Sequence, residues 1–203
     1  MSIYREFERL INFGLKNELF EKEDKIFMRN SLIDLFKLDE YIVEEVEDEN
    51  LENALINLGG NIRILGNKEK NQPFSIGIQD PTKPRGNSIG NIKVSDKSVV
   101  TSGIYERYLE KNNKIYHHML NPHTGYPFEN NLSSVTIISD KSIICDALST
   151  TTFGLGIEKG LKLIENLDNV DAIFVTKDKK IYLSSNLKDK LNLTDNSFTI
   201  INQ

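Results

Sequence analysis

From residue 53 onwards, the pattern of apolar and polar positions changes to one that predicts mainly β-strands, some with a two-residue alternation. Phe74–Gln79 shows this most clearly, because its three apolar side chains alternate with Ser75, Gly77 and Gln79. Leu132–Ser139 is rich in the β-branched residues that favour strands. Further strands are predicted at Ala54–Leu58 and at residues 62–65, 91–94, 98–101, 105–110, 115–120, 172–176 and 181–184.

Short polar or glycine-containing segments connect these strands in pairs. Gly59 and Gly60, with their permissive backbone angles, predict a tight turn between the first two strands. Residues 95–97, 111–114 and 178–180 separate three further pairs. Each of these three connections predicts a β-hairpin.

Apolar residues near helical spacing predict the remaining elements. Residues 140–155 and 157–167 are predicted to be helical, and residues 3–17 and 23–37 predict two short amphipathic helices. The fold class is therefore α+β: a mixed or antiparallel sheet with packed helices, preceded by a short helical segment. We predict a division between residues 1–52, a helical segment with an acidic linker, and residues 53–203.

The composition is that of an ordinary globular protein, with 38% hydrophobic and 27% charged residues. The formal charge of −5 is local, because residues 39–52 contain eight acids and no Lys or Arg, which leaves +3 for the rest of the chain. We interpret the acidic run as a solvated linker rather than a binding element. No basic patch predicts binding to nucleic acid.

Cys145 is the only cysteine, so a disulfide within the chain and a redox pair are both excluded. Its apolar neighbours favour a buried structural thiol over a nucleophile. The first residues lack a basic region followed by an apolar core, and no later stretch is long enough to span a bilayer. We therefore expect a cytoplasmic location and no transmembrane segment.

All three histidines fall within a short stretch at the end of a predicted strand: His117, His118 and His123. The stretch continues through an Asn-Pro pair and a Thr-Gly pair, which predict a turn after the strand. Rigid loops at strand ends often carry chemistry, whereas the alternative is a structural loop with surface histidines. Because neighbouring strand residues point to opposite faces, only one of His117 and His118 can face a site directly.

Asp146 and Thr150 form a second candidate site. They are four residues apart in the predicted helix and therefore lie on one helix face. A carboxylate and a hydroxyl make an all-oxygen site of the kind that Mg²⁺ accepts together with phosphate oxygens and water. The alternative is a helix-capping Asp with an incidental Thr.

Five motifs occur in the order seen in FAD:protein FMN transferases, the ApbE family, and the chain resembles the C-terminal part of that family from about residue 53 to 203. They are Asn-Leu-Gly-Gly-Asn-Ile at 57–62, Thr-Ser-Gly-x-Tyr-Glu-Arg at 101–107, His-His-Met-Leu-Asn-Pro-x-Thr-Gly-Tyr-Pro at 117–127, Ser-Val-Thr-Ile at 134–137 and Asp-Ala-Leu-Ser-Thr at 146–150. Asn121 stands where the family usually has Asp.

The resemblance implies an activity and a set of roles. FMN would be moved from FAD to a Thr or Ser of an acceptor protein, with release of AMP and dependence on Mg²⁺. His118 would be the catalytic base, and His117 would lie at the flavin chiefly through its backbone. Asp146 and Thr150 would hold the metal. FAD and the acceptor protein are the implied partners, and a homodimer is left open.

The sequence also allows two other interpretations. The first is a non-catalytic FAD-binding or partner-binding remnant of the same family, since much of the family's N-terminal half has no counterpart in residues 1–52. The second concerns residues 1–52, which resemble the N-terminus of the second type of UDP-glucose–hexose-1-phosphate uridylyltransferase through Arg-Asn-Ser-Leu at 29–32 and Leu-Asp-Glu-Tyr at 38–41. The three histidines do not form the His-x-His pattern that such a uridylyltransferase needs.

Overall fold

A computed structural model describes residues 52–112 and 114–201, which belong to a compact unit spanning Asn50–Gln203. The predicted N-terminal helices and all of the acidic linker except Glu52 lie outside the described residues. The strands are β1 (Ala54–Leu58), β2 (Asn61–Leu65), β3 (Phe74–Gln79), β4 (Ser88–Val94), β5 (Ser98–Gly103), β6 (Tyr108–Lys111), β7 (Lys114–His117), β8 (Leu132–Ser139), β9 (Val170–Thr176), β10 (Lys180–Leu183), β11 (Asn192–Leu193) and β12 (Thr199–Ile200). The helix α1 spans Ser142–Ile164, and short 3-10 turns occur at Glu69–Asn71 and Ser185–Leu187.

The strands form three sheets. Seven of them make a central sheet in the order β1-β2-β5-β8-β9-β10-β12. A three-stranded sheet has the order β11-β4-β3, and β6 and β7 form a two-stranded ribbon. All neighbouring pairs are antiparallel except β10 and β12, which run parallel. The predicted α+β class with a mixed sheet is confirmed.

The central sheet is covered on both faces. Every residue of β8 is buried, and five of its eight residues are apolar or β-branched. On one face, α1 packs against β5, β8 and β9. On the other, a hydrophobic core joins the sheet to β3 and β4 through residues that include Val99, Ile138, Ile76 and Ile92.

Helix α1 contains a break at Gly156, whose φ of 76° lies in a region that favours glycine. The sequence predicts two helical stretches that meet at this residue, and the position of the interruption is confirmed. The first stretch carries Asp146 and Thr150, so both lie on regular helix.

One predicted hairpin is wrong. β4 and β5 follow each other in sequence but do not pair: β4 lies between β3 and β11, whereas β5 lies between β2 and β8. The connection at residues 95–97 therefore passes from one sheet to the other. A polar turn between two strands does not show whether the strands pair, because that depends on which sheet buries each apolar face.

Candidate functional site

The β6–β7 ribbon delivers two neighbouring histidines to opposite environments. β7 ends at His117, which is 6% exposed, and His118 follows it on the exposed side. The two side chains therefore lie in different environments, as the alternation predicts, and that His118 faces a functional site stays a prediction.

The ring of His118 is fixed by a backbone carbonyl. The Arg107 carbonyl oxygen accepts from the His118 backbone N–H at 3.1 Å, and it also lies 3.1 Å from the ring Nδ1. A carbonyl oxygen can only accept, so Nδ1 carries the proton in this contact. The lone pair is then on Nε2, which is the arrangement required of a neutral histidine that accepts a proton.

His117 has a structural environment. Its Nε2–H donates to the Phe128 carbonyl at 3.2 Å, and its ring meets the ring of Phe153 edge-on at a centroid distance of 5.7 Å. Its Nδ1 is buried without a hydrogen-bond partner in the described part of the chain. Burial is the main cause that lowers the pKa of His117 below its ordinary value, so this environment favours the neutral ring.

The backbone of His117 faces away from β6. In an antiparallel ribbon, opposite residues alternate between pairs that exchange hydrogen bonds and pairs that do not. His118 bonds to Arg107, so the preceding pair, Tyr108 and His117, is of the second kind. The N–H and C=O of His117 therefore point to the free edge of the ribbon.

The turn after His118 is held by Asn121. The Asn121 side-chain oxygen accepts from the His123 N–H at 2.9 Å, and its carbonyl accepts from the Gly125 N–H at 2.8 Å. Gly125 has a φ of 70°, as the predicted turn requires. An Asp carboxylate oxygen would accept the same His123 bond, so Asn121 preserves the brace that the family's usual Asp would supply.

The two predicted metal ligands lie on the solvent-facing part of α1. Thr150 is exposed and Asp146 is half-buried. The Asp146 carboxylate forms no hydrogen bond or ion pair with any described residue, and burial raises the pKa of Asp146 above its ordinary value. A partly desolvated carboxylate without a partner is the kind of group that a cation would stabilise.

A chain of hydroxyl groups joins this helix to the end of β5. The Ser102 hydroxyl lies 2.7 Å from the Ser149 hydroxyl and 3.2 Å from the Thr150 hydroxyl. Ser149 in turn donates to the Asp146 carbonyl at 2.9 Å. The sequence places Ser102 and Thr150 in separate motifs, and only the fold brings them into contact.

The glycine that follows Ser102, Gly103, is required by the packing of a nearby aromatic ring. A Cβ on Gly103 would lie 2.6 Å from the ring of Tyr105, so Gly103 is needed for that ring to pack against the backbone. Burial raises the pKa of Tyr105 to about 12. The close approach of a flat ring to Gly103 is therefore made by a side chain of this protein.

Arg107 differs from the other charges of this segment. Glu106 forms an ion pair with Arg85, not with Arg107. The Arg107 guanidinium has no hydrogen bond or ion pair with the described residues. The ribbon register pairs Tyr108 with His117, and one further step along both chains puts Arg107 opposite His118, whose N–H donates to the Arg107 carbonyl. Because opposite residues carry their side chains on the same face, we expect this cation on the face of His118.

The ribbon is attached to α1 just beyond Thr150. A Cβ on Gly154 would lie 2.7 Å from the ring of Phe128, so the ring packs directly against the backbone of α1. The Asn130 side chain donates to the Phe153 carbonyl at 2.7 Å. His117 contacts Phe153 as well. These contacts connect the segment around His117 to α1, whereas no hydrogen bond joins His118 directly to Asp146 or Thr150 within residues 52–112 and 114–201.

Asp146 and Thr150 suit a hard cation that takes most of its ligands from water and phosphate rather than from the protein. No cluster of three or more His, Cys, Asp or Glu residues that would form a metal cage occurs among the described residues. Asp146 and Thr150 would supply two oxygen ligands, and Mg²⁺ is usually bound by one or two protein oxygens plus waters and phosphate. The unpartnered carboxylate and the nearby hydroxyl therefore fit Mg²⁺ better than a metal that needs nitrogen or sulfur.

The fold and the site define an α+β protein with an exposed histidine, an unpaired arginine and an oxygen-rich helix face. Residues 38–174 match the model of the ApbE family. The chain therefore belongs to the ApbE family. The match begins at residue 38, just before the acidic run and before the division that the sequence predicts at residue 52.

Relatives of known name agree with this membership. The FAD:protein FMN transferase of Klebsiella pneumoniae is 42% identical over 165 residues, which are 79% of this chain and 50% of that protein. The FAD:protein FMN transferase of Treponema pallidum is 36% identical over 167 residues, 78% of this chain and 46% of that protein. The chain spans about half the length of the curated relatives it matches.

Solved structures agree as well. The ApbE protein of Thermotoga maritima is 33% identical with a TM-score of 0.60, covering 67% of this chain and 44% of that one. The flavin transferase ApbE of Vibrio cholerae is 27% identical with a TM-score of 0.62, covering 75% and 49%. Among the described residues, no helix is both long enough and apolar enough to cross a bilayer. The cytoplasmic location stays a prediction.

Proposed function

We propose that this chain transfers FMN from FAD to a Thr or Ser of an acceptor protein and releases AMP. The observation that carries the proposal is His118, whose Nδ1 is tied to a carbonyl while Nε2 is left to accept a proton. The family membership supports it, since relatives that share about half their length with this chain are named FAD:protein FMN transferases.

At phosphorus, the reaction breaks one phosphoanhydride bond and forms one phosphoester bond. The acceptor hydroxyl oxygen attacks the FMN phosphorus, the phosphoanhydride bond to AMP breaks, and the hydroxyl proton passes to Nε2 of His118. General-base catalysis of this kind contributes roughly 10²–10⁴ in rate. Because the Arg107 carbonyl holds the ring, Nε2 keeps a fixed direction relative to the ribbon.

Other residues would bind the substrate. Asp146 and Thr150 would hold Mg²⁺, which when bound stabilises negative charge on the pyrophosphate oxygens. Arg107 would neutralise further phosphate charge from the face that carries His118, since guanidinium pairs well with phosphate. His117 would contact the flavin through the N–H and C=O that face the free edge of the ribbon.

A second candidate function is FAD binding or partner binding without transfer. The observation in its favour is that the chain spans only about half of the relatives it matches. FAD bound tightly with no release of AMP would favour this alternative. The resemblance of residues 1–52 to a uridylyltransferase is a separate hypothesis, and turnover of a UDP-sugar would be needed to support it.

The deciding experiment measures AMP release from FAD with an acceptor peptide, in Mg²⁺ and in EDTA. The wild type is compared with Asp146→Ala. We expect release that requires metal and is lost in the variant. Metal-independent release, or release that persists in Asp146→Ala, would contradict the proposed metal site, and no FMN adduct on the peptide would contradict transfer.

A further inference from the structure

The hydroxyl groups of Ser102, Ser149 and Thr150 form a chain whose hydrogen bonds have one allowed direction. Ser149 donates its only hydroxyl proton to the Asp146 carbonyl, which can only accept. In the 2.7 Å contact between Ser102 and Ser149, the donor must therefore be Ser102. Ser102 has then used its proton, so in its 3.2 Å contact with Thr150 the donor is Thr150.

This direction leaves the Thr150 lone pairs free. A hydroxyl that coordinates a cation must present oxygen lone pairs to it and donate its proton elsewhere. Thr152, in the same helix, instead donates to the Leu148 carbonyl at 2.6 Å. The hydroxyl proton of Thr150 has a defined acceptor on β5, away from its own helix.

We infer that Ser102 is a positioning residue for the proposed cation site: it accepts the Thr150 hydroxyl proton and so turns the Thr150 oxygen towards the cation beside Asp146. Ser149 fixes the direction by accepting from Ser102 and anchoring the chain on the Asp146 carbonyl. This role rests on the proposed Mg²⁺ site and extends it to a residue on the central sheet. Neither serine touches the substrate in this assignment.

The geometry makes a specific prediction about Ser149. Its hydroxyl is fully buried and accepts nothing from Thr150. Without it, Ser102 loses its acceptor and is free to donate to the Thr150 oxygen, which would compete with the cation. Removal of the Ser149 hydroxyl should therefore weaken cation binding through Ser102.

The test measures binding of Mn²⁺, as a spectroscopic substitute for Mg²⁺, by water-proton relaxation in the absence of FAD. Partners that orient a metal ligand typically contribute about 10–100-fold in metal affinity. We expect Ser102→Ala to weaken Mn²⁺ binding by about that factor, Ser149→Ala to weaken it less, and Ser102→Thr, which keeps the hydroxyl, to restore it. Asp146→Asn gives the value for a lost ligand.

The matched control is Thr101→Val. Thr101 is the neighbour of Ser102 on β5 and forms its own hydroxyl pair with Thr136, at 2.8 Å, on the opposite face of the strand. The Thr101→Val substitution should lower the free energy of unfolding to a similar extent as Ser102→Ala without changing Mn²⁺ affinity.

Three results would overturn the inference. They are an unchanged affinity in Ser102→Ala, an equal loss in Thr101→Val, and wild-type Mn²⁺ binding that does not depend on Asp146. AMP release from FAD is measured separately, so transfer that persists in any of these cases would leave the proposed reaction standing while Ser102 loses its assigned role.

Discussion

Two carboxylates, Asp146 on α1 and Asp80 at the end of β3, are treated in opposite ways by the fold. Asp80 is 0% exposed, and its Oδ1 accepts from the N–H and hydroxyl of Thr82 at 2.8 and 2.7 Å. Lys83 lies 3.0 Å from Asp80 and 2.9 Å from Asp195. Burial alone would raise the pKa of Asp80, but these bonds outweigh it and the pKa is lowered.

Asp146 has burial without the partners. Its pKa is raised, and among the described residues nothing neutralises its charge. Two arginines differ in the same way: Arg85 is paired with Glu106, whereas Arg107 has no partner among the described residues. The comparison teaches that charges which hold this fold together are satisfied within it. Asp146 and Arg107 have no such partner among the described residues, so a ligand could complete their charges.

The largest effect is expected where an exposed group is assigned to chemistry. His118→Ala should reduce FMN transfer by about 10²–10⁴, because the general base is lost. The free energy of unfolding should change by less than about 0.5 kcal/mol, since His118 is exposed. Transfer would be followed by the FMN adduct on the acceptor peptide and stability by urea unfolding. A variant that unfolds easily but retains transfer would reverse the assignment.

The two carboxylates should respond in opposite ways to amide replacement. Asp80→Asn weakens hydrogen bonds to a buried charge and should cost about 1.5–3 kcal/mol of unfolding free energy. Asp146→Asn removes an unpaired, partly desolvated charge and should leave stability unchanged or higher, while Mn²⁺ binding is lost. Parallel urea unfolding and Mn²⁺ titration of both variants measures this. Equal destabilisation by the two substitutions would contradict the assignment of Asp80 to the fold and of Asp146 to cation binding.

Arg107 gives a smaller, substrate-dependent effect. Arg107→Ala should weaken FAD binding by about tenfold or more, the magnitude of a hydrogen bond to a charged group, and leave riboflavin binding unchanged because riboflavin has no phosphate. Lys111→Ala is the matched control, since it removes a cation four residues further along the same segment and, by alternation, from the same face. Flavin fluorescence quenching measures both ligands. Equal weakening of FAD and riboflavin would indicate a packing role instead.

The smallest effect is a pH dependence from His117. Its folded-state pKa is lowered from the ordinary 6.5, so the folded protein disfavours the protonated ring. The stability that His117 contributes is therefore complete above about pH 6.5 and is lost as the pH falls below that value, by at most about 1.4 kcal/mol per pH unit.

Urea unfolding at pH 7.5 and 5.5 tests this dependence. His117→Gln should flatten the slope, whereas His118→Gln, at an exposed residue, should not. Asp80 and Asp195, with lowered pKa values, lose their contributions only at more acidic pH. A slope that is unchanged in His117→Gln would assign the dependence to another group.

The sequence by itself determined much of this protein. The β-branched residues of Leu132–Ser139 predicted β8 to the residue, because such side chains pack well in strands. The interruption at Gly156 and the turn at Gly125 followed from the backbone angles that glycine permits. Ordered motifs indicated the ApbE family and named His118, His117, Asp146 and Thr150 as candidates, whose roles stay predictions.

Only the tertiary structure decided how distant residues meet. β12 pairs with β10 in parallel and β4 does not pair with β5, and no local pattern distinguishes these choices because pairing depends on which sheet buries each face. The carbonyl of Arg107 that orients His118, and the serines that orient Thr150, come from separate segments. A hydrogen bond needs two groups within about 3 Å, and the chain order alone does not specify that distance.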